Sequence, residues 1–549
     1  MPKKTPSFKF AKHDSIGAPA AEDDAEYLHD CFIDSGDFTL LRKMDDRRII
    51  VLGRTGAGKS ALFEQLKFEE SAHVIKLRPT GLALTHVSGS DVIRFFSKLG
   101  INLDPFYKLL WRHVITVEIL TRFFSQYNPS GGSLYDWMRS FFSGNDRKSK
   151  ESRELIQYLE TWGARFWNET EYRVKEITGK IENELADSLK ATIGKDIFGV
   201  GGEKSKSFRI EESQKIDVIT NAQTVVARAQ IADLSKASSL LDQILSDRKK
   251  NYYVLIDGLD EDWIEDTLRY RLILSLIESA REFIGSRNAK IIIALRRDLI
   301  DRVFRLARTS GFQEEKYRGL YLPIVWNKEN IIDLLNRRIE KLVRFRYTSK
   351  SVLLRDLFPS VIREQQIEDF IFSVANRPRD AIAFVNTCID AASNKSKLTA
   401  RDVLVAVGEY SRSRLRALAD EWIVDYPELI DFAKILQNRS ISFKMKIVKD
   451  NEIDDLVLDM LTRFDGRTGF LIEQANGVIN GSIDRRSFLY TLFHVFYRVG
   501  LVGLKVSAEM KGSWVDDAGQ SISIAQVDPE TSVIVSQKYA YALGILPIE

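Results

Sequence analysis

Eight consecutive residues, Gly53-Arg54-Thr55-Gly56-Ala57-Gly58-Lys59-Ser60, have the types and order needed to hold phosphate. They carry glycine, lysine and a hydroxyl at every fixed position of the pattern G-x-x-x-x-G-K-[ST]. The glycines let backbone N–H groups turn inward around an anion, and a helix starting behind them adds the positive end of its dipole. Lys59 can then reach the β and γ phosphates of a nucleotide, and the Ser60 hydroxyl can ligate Mg²⁺. All eight residues are therefore expected to contact the nucleotide.

A second stretch supplies acid. Val254-Leu255-Ile256-Asp257-Gly258-Leu259-Asp260-Glu261 is an apolar run that ends in carboxylates. An aspartate at the tip of a buried strand can hold the water shell of Mg²⁺ without entering the core, so Asp257 is expected beside Ser60 at the metal. Asp260 or Glu261 can orient an attacking water; the other reading for both is capping the helix ahead of Trp263. Arg296 closes a later apolar run, Lys290–Leu295. A cation there can sense the third phosphate and stabilise charge developing in transfer. Its alternative is an ordinary ion pair with Asp298 or Asp301.

These groups need strands to carry them. Arg48–Leu52, rich in β-branched residues, reads as a buried parallel strand, and Ser60–Lys67 has apolar residues at helical spacing. Further strands are expected at Ala72–Leu77, Tyr252–Ile256, Lys290–Leu295 and Leu320–Ile324, with a helix at about Trp263–Ile284. Strands alternating with helices imply a three-layer α/β fold with a parallel sheet. Between the second and third strands lies a helical insertion at about 85–250, where Leu155, Leu159, Trp162, Phe166, Val174, Ile177, Ile181, Leu185, Leu189 and Ile193 recur at three- and four-residue steps. That stripe reads as core packing, or else as a face for a partner or for self-assembly. Asn128–Ser133 and Gly199–Gly202 mark loops around it. After Trp326 the pattern turns helical, at Asn330–Val343, Gln366–Val374, Asp380–Ala392 and Thr399–Arg412. Beyond about Leu415, a helix at Phe488–Tyr497 and a hairpin from Ser521–Ile524 and Ser532–Val535 suggest a winged-helix-like unit. The expected divisions are 1–45, an arm with a helix near Ala21–Phe32; 46–325, the core; 326–414, a helical lid; and 415–549.

Composition narrows the partners. With 80 basic and 77 acidic side chains the net charge is +3, so any nucleic-acid surface must be local. Local clusters exist: Arg412, Arg414 and Arg416, then Arg439, Lys444, Lys446 and Lys449 around Phe443. Two cysteines, Cys31 and Cys388, cannot build a disulfide framework and point to a reducing compartment. The basic start Met1–Pro6 has no apolar run behind it, so it is not a secretory signal. Phe488–Val506 is broken by His494, Arg498 and Lys505 and reads as a buried helix, so no membrane partner and a cytoplasmic location are expected.

Together, Gly53–Ser60, the Asp257-Gly258-Leu259-Asp260-Glu261 motif and the strand-end Arg296 resemble the STAND and AAA+ branches of the P-loop ATPases. Asn376-Arg377-Pro378-Arg379-Asp380, with Trp326 ahead of a helix ending in Arg337-Arg338, is similar to a poorly characterised group of bacterial P-loop ATPases. The resemblance covers about residues 20–420. It implies an ATP- and Mg²⁺-dependent core, a helical lid and a downstream winged-helix-like domain. It makes Arg379 a lid arginine that meets the γ phosphate; the alternative is a helix-start ion pair. Gly258 stands where AAA+ proteins usually carry Glu, which leaves the base open and fits slow turnover in a switch. Arg305, Arg308 and Arg318 lie where an arginine finger could reach a neighbouring subunit.

The function expected is an ATP-hydrolysing switch coupled to a partner or to self-assembly, with anti-phage defence as the biological context that the resemblance suggests. The alternatives are a nucleic-acid-associated ATPase and a nucleotide-binding scaffold without turnover. No Asn-Lys-x-Asp stretch that would select guanine is present, so the choice of ATP over GTP rests on loops outside these motifs.

Overall fold

The computed structural model describes residues 9–546 apart from 83, 128–131, 145–149, 194–215, 227–239, 242–244, 246–249, 285–287, 309–313, 345–350, 465, 467 and 516–521. The chain divides into two compact units, Asp34–Val325 and residues 1–33 together with 326–549.

The first unit is built on five strands: β1 (Ile50–Leu52), β2 (Val74–Leu77), β3 (Tyr252–Ile256), β4 (Ala289–Leu295) and β5 (Tyr321–Pro323). Their order is β2-β3-β4-β1-β5 and every neighbouring pair is parallel, with Val51 opposite Ala294 and Val254 opposite Ile291. β1, β3 and β4 are buried along their whole length, which is why they read as unbroken apolar runs in the sequence. The mixed α/β character with a parallel sheet is as expected.

Helices Asp104–Tyr127, Leu134–Gly144, Lys150–Asn168 and Thr170–Ile193 fill much of the interval between β2 and β3. The stripe from Leu155 to Leu189 lies in the same hydrophobic core as β3 and β4, so its expected packing role is what the fold uses. Gly163, at φ 73°, breaks the helix Lys150–Asn168 within that stripe. Trp111 Nε1 donates to Leu272 O at 2.9 Å and so ties the insertion to helix Asp266–Glu282. The Ile193 side chain, the glycines Gly199–Gly202 and most of Asn128–Ser133 lie outside the described residues.

The second unit holds helices Lys328–Arg344, Ile367–Val374, Pro378–Ala391 and Ala400–Glu421 around one core. The last of these runs past the boundary expected at 414. A further core gathers helices Asp450–Arg463, Phe470–Ile479 and Arg485–Val499 with an antiparallel three-stranded sheet. In that sheet Ser532–Val535 is central, between Ser442–Lys444 and Val502–Lys505.

Two expectations need correction. The hairpin partner of Ser532–Val535 is not Ser521–Ile524. Ser523 and Gln526 instead close a reciprocal side-chain cap on the 3₁₀ turn Ile524–Gln526. In the N-terminal arm, Ala21–Asp23 forms a 3₁₀ turn followed by further turns, and the first α-helix among the described residues is Asp37–Arg42. The arm's conformation is set by distant partners. Asp24 pairs with buried Arg338 at 2.5 Å and accepts from Ala18 N at 2.8 Å, while Asn386 bonds both Ile16 N and Gly17 O. Among the described residues no helix is long and apolar enough to cross a membrane.

Candidate functional site

The loop Gly53–Ser60 lies at the C-terminal end of β1, where ligands bind in open parallel sheets. Gly53 N donates to Leu295 O at 3.3 Å, which fastens the start of the loop to the end of β4. A Cβ on Gly53 would come 2.9 Å from Ala57 Cβ, so the loop closes too tightly for any side chain there. Gly56 and Gly58 have φ of 78° and 99°, conformations that L side chains rarely adopt. Gly58 is the N-cap of helix Lys59–Glu69 and uses no side chain for the cap. The first-turn N–H groups of that helix thus face the loop without a side-chain acceptor at the cap. Leu62, Phe63 and Leu66 bury its inner face, and Glu64 pairs with Lys76 of β2 at 2.6 Å.

Lys59 Nζ folds back over this loop and donates to Gly53 O at 2.9 Å and to Arg54 O at 3.1 Å. Thr55 is exposed, whereas Arg54, Gly56, Gly58, Lys59 and Ser60 are half-buried.

The Ser60 hydroxyl donates to Asp257 Oδ2 at 3.0 Å, joining residues 197 positions apart. Asp257 follows β3, and its other oxygen accepts from Gly258 N at 2.9 Å. A hydroxyl and a carboxylate oxygen in contact form the start of a hard-oxygen donor set of the kind Mg²⁺ takes.

Beyond Asp257 the two remaining acids diverge. Gly258 has φ 76°, and a Cβ there would lie 3.0 Å from Glu261 Oε1. The Glu261 carboxylate therefore occupies the space that a side chain at 258 would need. Asp260 turns instead towards Arg296, with Oδ2 3.9 Å from Nη1. Neither acid caps the following helix, which begins at Asp266 with Glu265 at its N-cap.

Arg296 follows β4 directly. It donates through Nε to Asp298 Oδ1 at 3.0 Å and through Nη2 to Asp298 Oδ2 at 2.8 Å. The ion pair with Asp298, one of the two readings offered for Arg296, is thus present. Loop, Asp257, Asp260, Glu261 and Arg296 all belong to the first unit, on the tips of β1, β3 and β4. Arg379 belongs to the second, at the second residue of helix Pro378–Ala391, and is half-buried. Of the finger candidates, Arg305 and Arg318 are exposed, and the Arg308 side chain lies outside the described residues.

Sequence reasoning missed the partners of the motif around Arg379. Asp380 is buried and accepts from Lys538 Nζ at 2.6 Å and Arg414 Nη1 at 3.3 Å. Burial alone would raise its pKa, but Lys538, Arg377 and Arg414 outweigh that and hold it at about 2. Nothing around Lys538 in the sequence signals a partner 158 positions away. The basic clusters are also largely neutralised. Arg439 pairs with Glu452, Lys444 and Lys446 both pair with Glu530, and Phe443 is buried.

Comparison with known proteins adds the following. The family described as the FunZ-associated C-terminal helical domain matches residues 329–419, which span the helices from Lys328–Arg344 into Ala400–Glu421. A protein of Escherichia coli (strain K12), the putative transposon gamma-delta 80.3 kDa protein, is 23% identical over 447 residues. That match covers 76% of this chain and 53% of the relative, so the chain spans about half of the relative's length. No solved structure matches.

Proposed function

We propose that this protein is an Mg²⁺-dependent ATPase of the P-loop kind, with a helical lid and a winged-helix-like C-terminal part, acting as a slow nucleotide switch. The observation that carries this reading is the 3.0 Å bond between Ser60 and Asp257. It joins the phosphate-type loop after β1 to the acid after β3, across the tip of β4 that lies between those strands. The strand order and the placement of Arg296 on the intervening strand support it. So does the C-terminal arrangement, a strand, three helices and two further strands that complete a three-stranded antiparallel sheet.

Backbone N–H groups of Gly53–Ser60 and the Lys59 ammonium would bind the phosphates, displacing the Lys59 bonds to Gly53 O and Arg54 O. Ser60 and Asp257 would hold the ion. Bound there, Mg²⁺ supplies charge neutralisation on the transferring phosphoryl group. Either Asp260 or Glu261 would orient the attacking water and accept its proton; the proximity of Asp260 to Arg296 favours Glu261. STAND and AAA+ kinship, coupling to a partner or to self-assembly, a cytoplasmic setting and a role in anti-phage defence follow from the resemblance in the motifs and stand with it.

A nucleic-acid-associated ATPase is the second reading, favoured by the C-terminal arrangement and by the word transposon in the relative's name. The pairing of Arg439, Lys444 and Lys446 with acids counts against those residues as its surface. Exposed Arg412 and Arg416 remain available to it.

Phosphate release and ATP binding, measured with Mg²⁺ and with and without DNA, test the proposal. Lys59→Ala is expected to lower ATP affinity at least about tenfold, the scale of a charge-assisted hydrogen bond to phosphate, with an unchanged melting temperature. Near-wild-type affinity would place the site elsewhere. Binding without phosphate release would leave a nucleotide-binding scaffold. DNA-stimulated release whose apparent affinity falls steeply with salt would favour the second reading.

A further inference from the structure

Arg296, at the tip of β4, is held by a carboxylate. Its Nε and Nη2 both reach one carboxylate, that of Asp298, as a two-pronged fork. Such a pair fixes the plane of the guanidinium as well as its position. The remaining nitrogen, Nη1, is thereby turned towards Asp260 on the loop after β3. Both partners of the fork are mostly buried, with side-chain exposures of 16% and 15%. A pair so withdrawn from water persists only when its geometry is good, unlike the mobile ion pairs of an exposed surface.

Asp298 has supports that do not depend on Arg296. It stands in the first turn of helix Arg297–Arg308, where the helix dipole favours a carboxylate. Arg302, one turn on, lies 3.8 Å from the same Oδ2 and shares its charge. The anchor therefore keeps supports of its own if Arg296 is drawn towards an anion.

The position in the sheet gives this clamp its meaning. β4 lies between β1, which carries the phosphate-type loop, and β3, which carries Asp257. At a strand spacing of about 4.8 Å the tips of β1 and β3 are about 10 Å apart, with Arg296 between them.

We propose that Asp298 is a positioning residue that locks the Arg296 guanidinium with Nη1 facing the site, so that Arg296 distinguishes a nucleoside triphosphate from a diphosphate. This rests on the nucleotide-site reading above. Its consequence is energetic coupling: the effect of Asp298 on ligand binding passes through Arg296 alone.

The test is a double-mutant cycle on the full-length chain, with ATP and ADP affinities measured in Mg²⁺ for wild type, Arg296→Ala, Asp298→Asn and the double variant. Asp298→Asn keeps the size and one acceptor oxygen, so melting temperature reports whether the fold is retained. Asp298→Asn is expected to weaken ATP binding about tenfold relative to ADP, the scale of one charge-assisted hydrogen bond. In the Arg296→Ala background it should have no further effect. Asp298→Glu, which can still offer two oxygens, should recover part of the preference. An unchanged ATP-to-ADP ratio in Asp298→Asn overturns the proposal, as does an equal loss in both backgrounds. If Arg296→Ala itself leaves the ratio unchanged, Arg296 does not read the third phosphate, and the underlying reading of that residue falls with the clamp.

Discussion

Gly258 and Glu261 make one steric unit, since a Cβ at 258 would press on the Glu261 carboxylate at 3.0 Å and the backbone there has φ 76°. Both constraints act on Gly258→Ala: strain from the positive φ and displacement of the Glu261 carboxylate. If Glu261 orients the water, Gly258→Ala and Glu261→Gln should both slow phosphate release, on the order of a hundredfold, while ATP binding stays within about twofold. Asp260→Asn should retain more turnover than Glu261→Gln, because Asp260 faces Arg296. Single-turnover phosphate release separates the two, and full activity in Glu261→Gln would remove it from the water-orienting role. Asp257→Asn should act differently, weakening Mg²⁺-dependent binding itself, since it loses the oxygen to which Ser60 donates.

At the scale of elements, helix Pro378–Ala391 shows how a buried charge can set the start of a helix. Pro378 occupies its first position and Asp380 its third, with Asp380 4% exposed between Lys538 and Arg414. Removing one cation from a buried carboxylate is strongly destabilising, so Lys538→Met should cost on the order of 3 kcal/mol in urea unfolding. Lys538→Met combined with Asp380→Asn should cost less than that, because the unpaired charge is gone. The pH dependence follows from the same group. Its folded pKa of about 2 lies below the ordinary 3.8, so the folded state holds fewer protons in that range. The stability it contributes is present above pH 4 and is lost as pH falls from about 4 towards 2. Melting curves across that window should show the loss in wild type and a smaller one in Asp380→Asn. This element also shows what the sequence could and could not reveal. β3 was legible at its observed bounds, Tyr252–Ile256, because a strand buried on both faces is a continuous apolar run. That Ser60 and Asp257 lie close together was legible because each belongs to a motif with fixed chemistry. The arm before Ile33 was not, because Asp24 takes its conformation from Arg338, 314 residues away, and not from its local spacing. Lys538 was equally silent, since a single lysine in the four-residue helix Gln537–Ala540 has no periodic signal.

The whole molecule is two compact units between which the chain passes twice, at 33–34 and at 325–326. The phosphate-type loop and its acids lie in one, and Arg379 in the other. A ligand can shift an equilibrium between conformations only by its differential affinity for them. ATP differs from ADP by one phosphate, and a charge-assisted hydrogen bond to it would be worth about 1.5–3 kcal/mol. Acting on two conformations of equal free energy, that difference would place more than about 90% of molecules in the favoured one. An ATP analogue that resists hydrolysis, but not ADP, is therefore expected to change the scattering profile or the sedimentation coefficient of the wild-type protein. If Arg379 meets the third phosphate, as the resemblance in the motifs implies, Arg379→Ala should remove the difference while ADP affinity stays within about twofold. Lys538→Met tests the same route from behind, since Asp380 next to Arg379 is fixed by Lys538. If Arg379 must be held at a set angle, Lys538→Met should blunt the response to the analogue at temperatures where the variant is still folded. Identical wild-type profiles with ADP and with the analogue would mean that the third phosphate does not drive the change. A full response in Arg379→Ala would assign the drive to Arg296 and the first unit alone.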